Sequence, residues 1–265
     1  MRIGSRDFAT TGHTYIMGIL NVTPDSFSDG GKFNQIDAAL KHAEEMIRDG
    51  ADVIDIGGES TRPWGYTKIS DEEETGRVVP VIEAVKKEFG IPISVDTYKS
   101  GVAEAAALIN DIWGLKYDPH MSEVIAKSGL ACCLMHNRDN TEYRNFMEDM
   151  KQDLRETIAL AKAAGIADDK IILDPGVGFA KSYENNLEVI RRLKEFNELK
   201  YPVLLGTSRK SVIGLTLDLP AAERVEGTIV TTVMAVEAGC MFVRVHDVKE
   251  NHRAIQMAEA ILDRK

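Results

Sequence analysis

Long apolar runs are missing from this chain: no stretch approaches the roughly eighteen consecutive apolar residues that a membrane-spanning helix needs. Residues 1–13, MRIGSRDFATTGH, carry charges and no apolar h-region, so neither an export signal nor a membrane partner is expected. A cytoplasmic location is the resulting expectation. Cysteine is scarce as well. The three present lie in strand-like runs, and the adjacent Cys132 and Cys133 point to opposite faces of a strand, which argues against a disulfide framework and a four-ligand metal site. Positive charge is in deficit: 32 Lys and Arg face 42 Asp and Glu, for a net charge of -10. Such a field repels nucleic acid and anionic membranes, so an anionic substrate must be captured by a local basic cluster. There is no linker, low-complexity segment, short-period repeat or shift in composition, and a single domain over residues 1–265 is expected, with 1–13 as an extension before the first barrel strand.

What is present is an ordinary globular composition, 44% hydrophobic and 28% charged, able to bury a substantial core and too balanced for disorder. Eight β-rich runs recur along it: YIMGILNV, ADVIDIGGES, PISVDT, ALINDI, LACCLMH, KIILDPGVGF, PVLLGTS and MFVRVHD. Between them lie segments of helical period. Ile36, Leu40, Ala43 and Ile47 share one helical face, as do Tyr143, Met147, Met150, Leu154 and Ile158, and again Leu187, Ile190 and Leu193. Ser70 to Glu73 reads as a capping box, and Gly50, Gly90 and Gly165 stand where helices should stop. The third connection is the tightest, with room for a short helix from about Lys99 to Ala107. Near-continuous apolar strands are those buried on both faces, and eight of them predict an α/β fold, a (β/α)8 barrel with its active site at the carboxyl ends of the strands. A doubly wound open sheet is the alternative.

Each apolar run ends in polar groups: Asn21, Glu59 and Ser60, Asp96, Asn110, His136, Asp174, Ser208, then Arg244 and His246. Any one of these Asn, Ser or Asp residues could simply cap the following helix. A barrel gathers all of them at one mouth. Arg244 and His246 alternate in V-R-V-H-D and so share a strand face, a basic pair suited to an anion. A salt bridge to Asp247 is disfavoured by its opposite direction. Arg62, Arg209 and Lys210 extend the basic cluster, and the first loop, TPDSFSDGGKF, mixes turn residues with Phe27 and Phe33 in the manner of a mobile lid.

The runs MGILNVTPDSFSDGG, DIGGESTRP, SVDT, IND, LMH, ILDPGVGFAKS, LLGTSRKS and RVHDV, in that order from about Ile16 to the last helix, resemble the dihydropteroate synthases. The first-loop NVTPDSFSDGG and DPGVGF carry most of the specificity. The resemblance implies condensation of hydroxymethyl-dihydropterin pyrophosphate with p-aminobenzoate on the folate pathway, by an SN1-like route in a homodimer. It implies a pterin site of Asp174, Asn110, Asp96, Met135, Phe179, Gly206 and Lys210, with a carboxylate accepting from the amino-pyrimidine edge. It further implies a pyrophosphate site of Asn21, Arg62, Arg244 and His246, with Asn21 ligating Mg2+. The p-aminobenzoate site would comprise Phe27, Thr61, Arg62, Pro63, Phe179, Lys210 and Ser211. Asp96, Lys210, Arg244 and His246 are the implied catalytic groups. An uncharged arylamine needs no activation, which agrees with the lack of a Ser-His arrangement.

One departure stands in the second loop, where the family reads Ser-Thr-Arg-Pro-Gly and this chain reads Ser60, Thr61, Arg62, Pro63, Trp64, Gly65. The extra Trp64 is expected to perturb p-aminobenzoate binding and, more strongly, that of bulkier sulfonamides. The fifth-strand motif differs too, with Asn137 after His136. Two rivals are a methyltetrahydrofolate-binding corrinoid methyltransferase, which handles no pyrophosphate, and a catalytically silent pterin-binding barrel, which would lack the anion groups.

Overall fold

The computed structural model describes residues 1–23, 32–59, 68–103 and 106–264, and for residues 32–34 the backbone alone. A short antiparallel hairpin, β1 (Arg2–Ile3) and β2 (Arg6–Asp7), precedes eight parallel strands. These are β3 (Tyr15–Asn21), β4 (Val53–Gly57), β5 (Ile93–Asp96), β6 (Leu108–Asp111), β7 (Ala131–Met135), β8 (Ile171–Asp174), β9 (Leu204–Leu205) and β10 (Phe242–Val245). The pairing order is β8-β7-β6-β5-β4-β3-β10-β9, and a parallel bridge from Leu173 to Val203 joins the two ends of the order. The sheet is therefore the expected (β/α)8 barrel, not an open doubly wound sheet.

Helices wrap it outside: α1 (Lys32–Arg48), α2 (Asp71–Phe89), α3 (Ser100–Ala103), α4 (Met121–Ser128), α5 (Phe146–Ala163), α6 (Tyr183–Arg191), α7 (Ser211–Leu217), α8 (Val225–Ala238) and α9 (Val248–Ile261). Ser70 caps α2 as its sequence predicts, its hydroxyl accepting from the Glu73 N–H at 3.2 Å. Two elements are shorter than the sequence suggests. The helix α3 ends at Ala103, with 104–105 outside the described residues, and β9 has only two residues. Pro202, which has no N–H for the ladder, and Gly206 flank that strand and restrict it.

Because strand side chains alternate, each strand splits its residues between two cores. Ile54, Ile56, Ile109, Cys132, Leu134, Leu173, Val243 and Val245 face outward to the helices. Met17, Val53, Leu108, Ile172, Leu204 and Phe242 fill the barrel floor, closed from below by Ile3 of the hairpin and by Phe8. Burial of a side chain as large as Phe242 there stabilises the fold by about 2 kcal/mol. One step further along each strand, the inward positions become polar: Asp55 above Val53, Asn110 above Leu108, Asp174 above Ile172, Arg244 above Phe242. Gly206 stands above Leu204, and its missing side chain keeps open the space beside Asp174, since a Cβ there would lie 3.6 Å from Oδ2. The floor thus turns a ring of strands into a cup with a polar bottom.

Candidate active site

At the bottom of the cup Arg244 bridges two carboxylates. Its Nε donates to Asp55 Oδ2 at 2.5 Å and its Nη2 to Asp96 Oδ2 at 2.7 Å. Asn110 adds an Nδ2 donation to Asp55 at 3.2 Å, so β4, β5, β6 and β10 are tied together through one guanidinium and one amide. Burial works against the Arg244 cation, but Asp55 and Asp96 more than offset it and hold its pKa above the ordinary value. Burial pushes the Asp96 carboxyl up to about 7, with Arg244 pulling it down and Asp55 pushing it further up. One oxygen of each acid, Asp55 Oδ1 and Asp96 Oδ1, is buried with no hydrogen-bond donor among the described residues. Buried acceptors of that kind are costly unless an N–H reaches them.

Across the barrel Asp174 accepts from the Gly176 N–H at 2.7 Å. Burial raises its pKa, opposed first by Lys210. Burial likewise draws Lys210 down to about 8, against the pull of Asp174. The Lys210 ammonium donates to the Val177 carbonyl and stands 4.7 Å over the ring of Phe179. Tyr98, Ile112 and Met135 form a small apolar wall with Trp113 and Phe179 packed on it. A flat, donor-rich heterocycle is matched by this slot: an apolar wall, acids at its edge and a cation beside its face.

The rim carries the anion candidates. Ser208 accepts from the His246 backbone N–H at 3.1 Å, and its hydroxyl lies 2.9 Å from His246 Nδ1. In the tautomer that carries its ring proton on Nε2, the ring accepts the Ser208 hydroxyl proton at Nδ1 and offers Nε2–H as a donor. Asn21, exposed at the end of β3, flanks Gly57 together with Asp96: a Cβ on that glycine would lie 3.7 Å from Asn21 Oδ1 and 3.5 Å from Asp96 Cβ. Ser211 is exposed at the first residue of α7. Arg209 does not join the basic cluster, contrary to expectation. Its Nε donates to Asp247 Oδ2 at 3.1 Å and its Nη2 to Oδ1, so its charge is neutralised locally. Phe27, Thr61, Arg62, Pro63 and the extra Trp64 lie outside the described residues.

Sequence reasoning missed Asp55. Its signal is an acid embedded in the apolar run VIDIG at the same parity as Val53, which must face inward if the strand closes a barrel. It also missed a buried charge cluster behind the second loop, where the Lys99 ammonium lies 2.7 Å from Glu59 Oε2 and 2.8 Å from Glu74 Oε2.

Comparison with known proteins places this geometry. The family model for pterin-binding enzymes matches residues 17–246. A dihydropteroate synthase of Clostridium beijerinckii is 61% identical over 270 residues, covering 100% of both chains. A crystal structure of the Clostridium difficile dihydropteroate synthase in the presence of pteroic acid superposes with a TM-score of 0.93 at 53% identity, over 96% of this chain and 99% of that one. The Xanthomonas albilineans dihydropteroate synthase with 4-aminobenzoic acid does so with a TM-score of 0.89 at 39% identity, over 94% and 93%. This chain belongs to the dihydropteroate synthase family, pterin-binding transferases of folate synthesis.

Proposed function

We propose that this chain joins hydroxymethyl-dihydropterin pyrophosphate to p-aminobenzoate by a dissociative substitution, and that the acids and cations at the bottom of the barrel divide the work. The observation that carries the reading is the grouping of buried Asp174, Lys210 and the Phe179 ring at the barrel mouth with the Arg244–Asp96 ion pair. The relatives whose structures were determined in the presence of pteroic acid and with 4-aminobenzoic acid support a pterin and p-aminobenzoate as the substrates. Asp174 accepts from the amino-pyrimidine edge of the pterin, and the donor-less oxygens of Asp96 and Asp55 take further ring N–H groups. Lys210 donates to the ring's acceptor atoms.

The methylene carbon–oxygen bond breaks first, its electron pair leaving with the pyrophosphate oxygen. The ionised Asp96 stabilises the cationic methylene that remains, in a site preorganised by Arg244 and the strand ends. Arg244, His246 Nε2 and Arg62 offset the leaving charge. The neutral arylamine nitrogen then donates its lone pair to the carbon and loses a proton to solvent or pyrophosphate. Ser211 and Thr61 orient the carboxylate of p-aminobenzoate. Asn21 supplies a single amide oxygen, and among the described residues no group of three His, Cys, Asp or Glu is placed to hold a metal. Asn21 would hold a Mg2+ ion through that oxygen, and the ion would supply positive charge against the departing pyrophosphate.

Hydrolysis in oxygen-18 water without p-aminobenzoate tests the bond that breaks. The label is expected in the hydroxymethyl group of the pterin; label found in pyrophosphate overturns carbon–oxygen cleavage.

We also propose a homodimer. Val230 on α8 and Met257 and Ile261 on α9 are 60%, 63% and 71% exposed on two helices that pack together, an apolar surface suited to a second copy. Light scattering should read twice the chain mass, and Val230→Asp with Ile261→Asp should halve it; a monomeric unsubstituted protein contradicts this. Three buried, unpaired thiols accord with the reducing cytoplasm, and among the described residues no helix is long and apolar enough to cross a membrane.

A further inference from the structure

The loop between β8 and α6 carries both Phe179 and the Val177 carbonyl that receives Lys210, yet its own backbone is bent into an uncommon path. Gly176, Gly178 and Ala180 have φ of 67°, 90° and 47°. At Gly176 a Cβ would lie 2.1 Å from the His136 carbonyl oxygen, so only glycine fits. The curl turns carbonyls inward, onto one side chain. Lys181 Nζ donates to the Gly176 and Phe179 carbonyls at 2.9 Å each, and to His136 Nδ1 at 3.0 Å. Three acceptors match the three N–H bonds of an ammonium.

The imidazole that receives it is itself fixed. His136 Nε2 lies 2.8 Å from Asp153 Oδ2, and Arg138 donates to the same carboxylate through Nε at 2.5 Å and Nη2 at 3.0 Å. An acid so paired is ionised and can only accept, so Nε2 carries the ring proton and Nδ1 offers its lone pair. Tyr143 completes the grip, donating its hydroxyl to the Ala180 carbonyl at 2.9 Å under the Arg138 guanidinium. None of these groups is used by the reaction as proposed above.

We propose that Lys181 is a positioning residue for the pterin: it gathers the Gly176–Phe179 backbone onto His136 and so places Phe179 and the Val177 carbonyl around Lys210. The inference rests on the proposed pterin site. The effect should be read on the pterin bound alone, because Phe179 and Lys210, which the clamp places, also belong to the p-aminobenzoate site that the family resemblance implies. Loss of the clamp leaves the buried carbonyls without a donor and lets the Phe179 loop shift, a displacement that costs roughly ten- to a hundredfold in binding or rate.

Fluorescence titration with hydroxymethyl-dihydropterin pyrophosphate, without arylamine, tests this in four proteins: the unsubstituted enzyme, Lys181→Met, His136→Leu and His136→Gln. Lys181→Met and His136→Leu should weaken pterin binding about tenfold or more. His136→Gln should bind like the unsubstituted enzyme, because its carbonyl can accept from Lys181 and its amide can donate to Asp153. Equal pterin affinity in all four overturns the inference and leaves the proposed reaction standing. If circular dichroism shows Lys181→Met unfolded, the His136 pair decides, and equal affinities there overturn it. Failure of the unsubstituted enzyme to bind the pterin overturns the reaction and the inference together.

Discussion

Asp174→Ala is expected to lower kcat/KM for the pterin substrate by about a thousandfold, a loss of roughly 4 kcal/mol. Three effects combine. The carboxylate proposed to receive the pterin edge disappears. The Gly176 N–H, held at 2.7 Å, loses its acceptor, which loosens the loop that carries Phe179. Lys210, already drawn down to about 8 by burial, loses the carboxylate that supports its charge, so its pKa falls further and less of it is protonated at neutral pH. Asp174→Asn separates these effects. It keeps an oxygen for Gly176 but removes the charge, and should retain about ten times more activity than the alanine variant. Steady-state kinetics with each substrate varied in turn checks both, and an alanine variant within tenfold of the unsubstituted enzyme contradicts the assignment.

Arg244→Met should be as damaging to turnover and far more damaging to the fold. Removing one partner of a buried ion pair typically costs 3–5 kcal/mol, because the other charges stay buried without compensation. Here two acids are stranded, Asp55 and Asp96. The pH dependence gives the test its sign. Without Arg244, the Asp96 carboxyl loses the charge that pulls its folded-state pKa down, and that value, already raised to about 7 by burial, rises further, so the native state holds more protons than the unfolded one between the folded and unfolded pKa values. Stability then falls as pH rises through that window. The variant's Tm deficit, relative to the unsubstituted protein, should be larger at pH 8 than at pH 5. A deficit that is equal at the two values, or larger in acid, refutes the stranding of Asp55 and Asp96 as its cause.

Much of this architecture could be read from the chain before its coordinates. Parallel strands covered on both faces must be nearly all apolar, so a polar residue at the end of such a run marks the mouth of the barrel, as Asn110, Asp174 and Arg244 do. What escaped reading depends on partners distant in sequence. Asp55 looks like an interruption of an apolar strand until the inward parity of β4 sets it beside Arg244, 189 residues away. Arg209 looks like an anion ligand until Asp247, 38 residues on, claims its guanidinium. Lys181 reads as an ordinary lysine just before a helix, and only the left-handed turns at Gly176, Gly178 and Ala180 bring its acceptors together. Burial and charge pairing across the barrel are tertiary facts, and no local pattern encodes them.

The central claim is that one cup both binds the pterin and expels its pyrophosphate onto an arylamine. A single time course with Mg2+, p-aminobenzoate and hydroxymethyl-dihydropterin pyrophosphate, following pyrophosphate and dihydropteroate together, tests it most directly. The account predicts equal amounts of both, with turnover lowered about a thousandfold in Asp174→Ala and Arg244→Ala. Tight pterin binding with neither product formed would contradict it and identify a silent pterin-binding barrel instead.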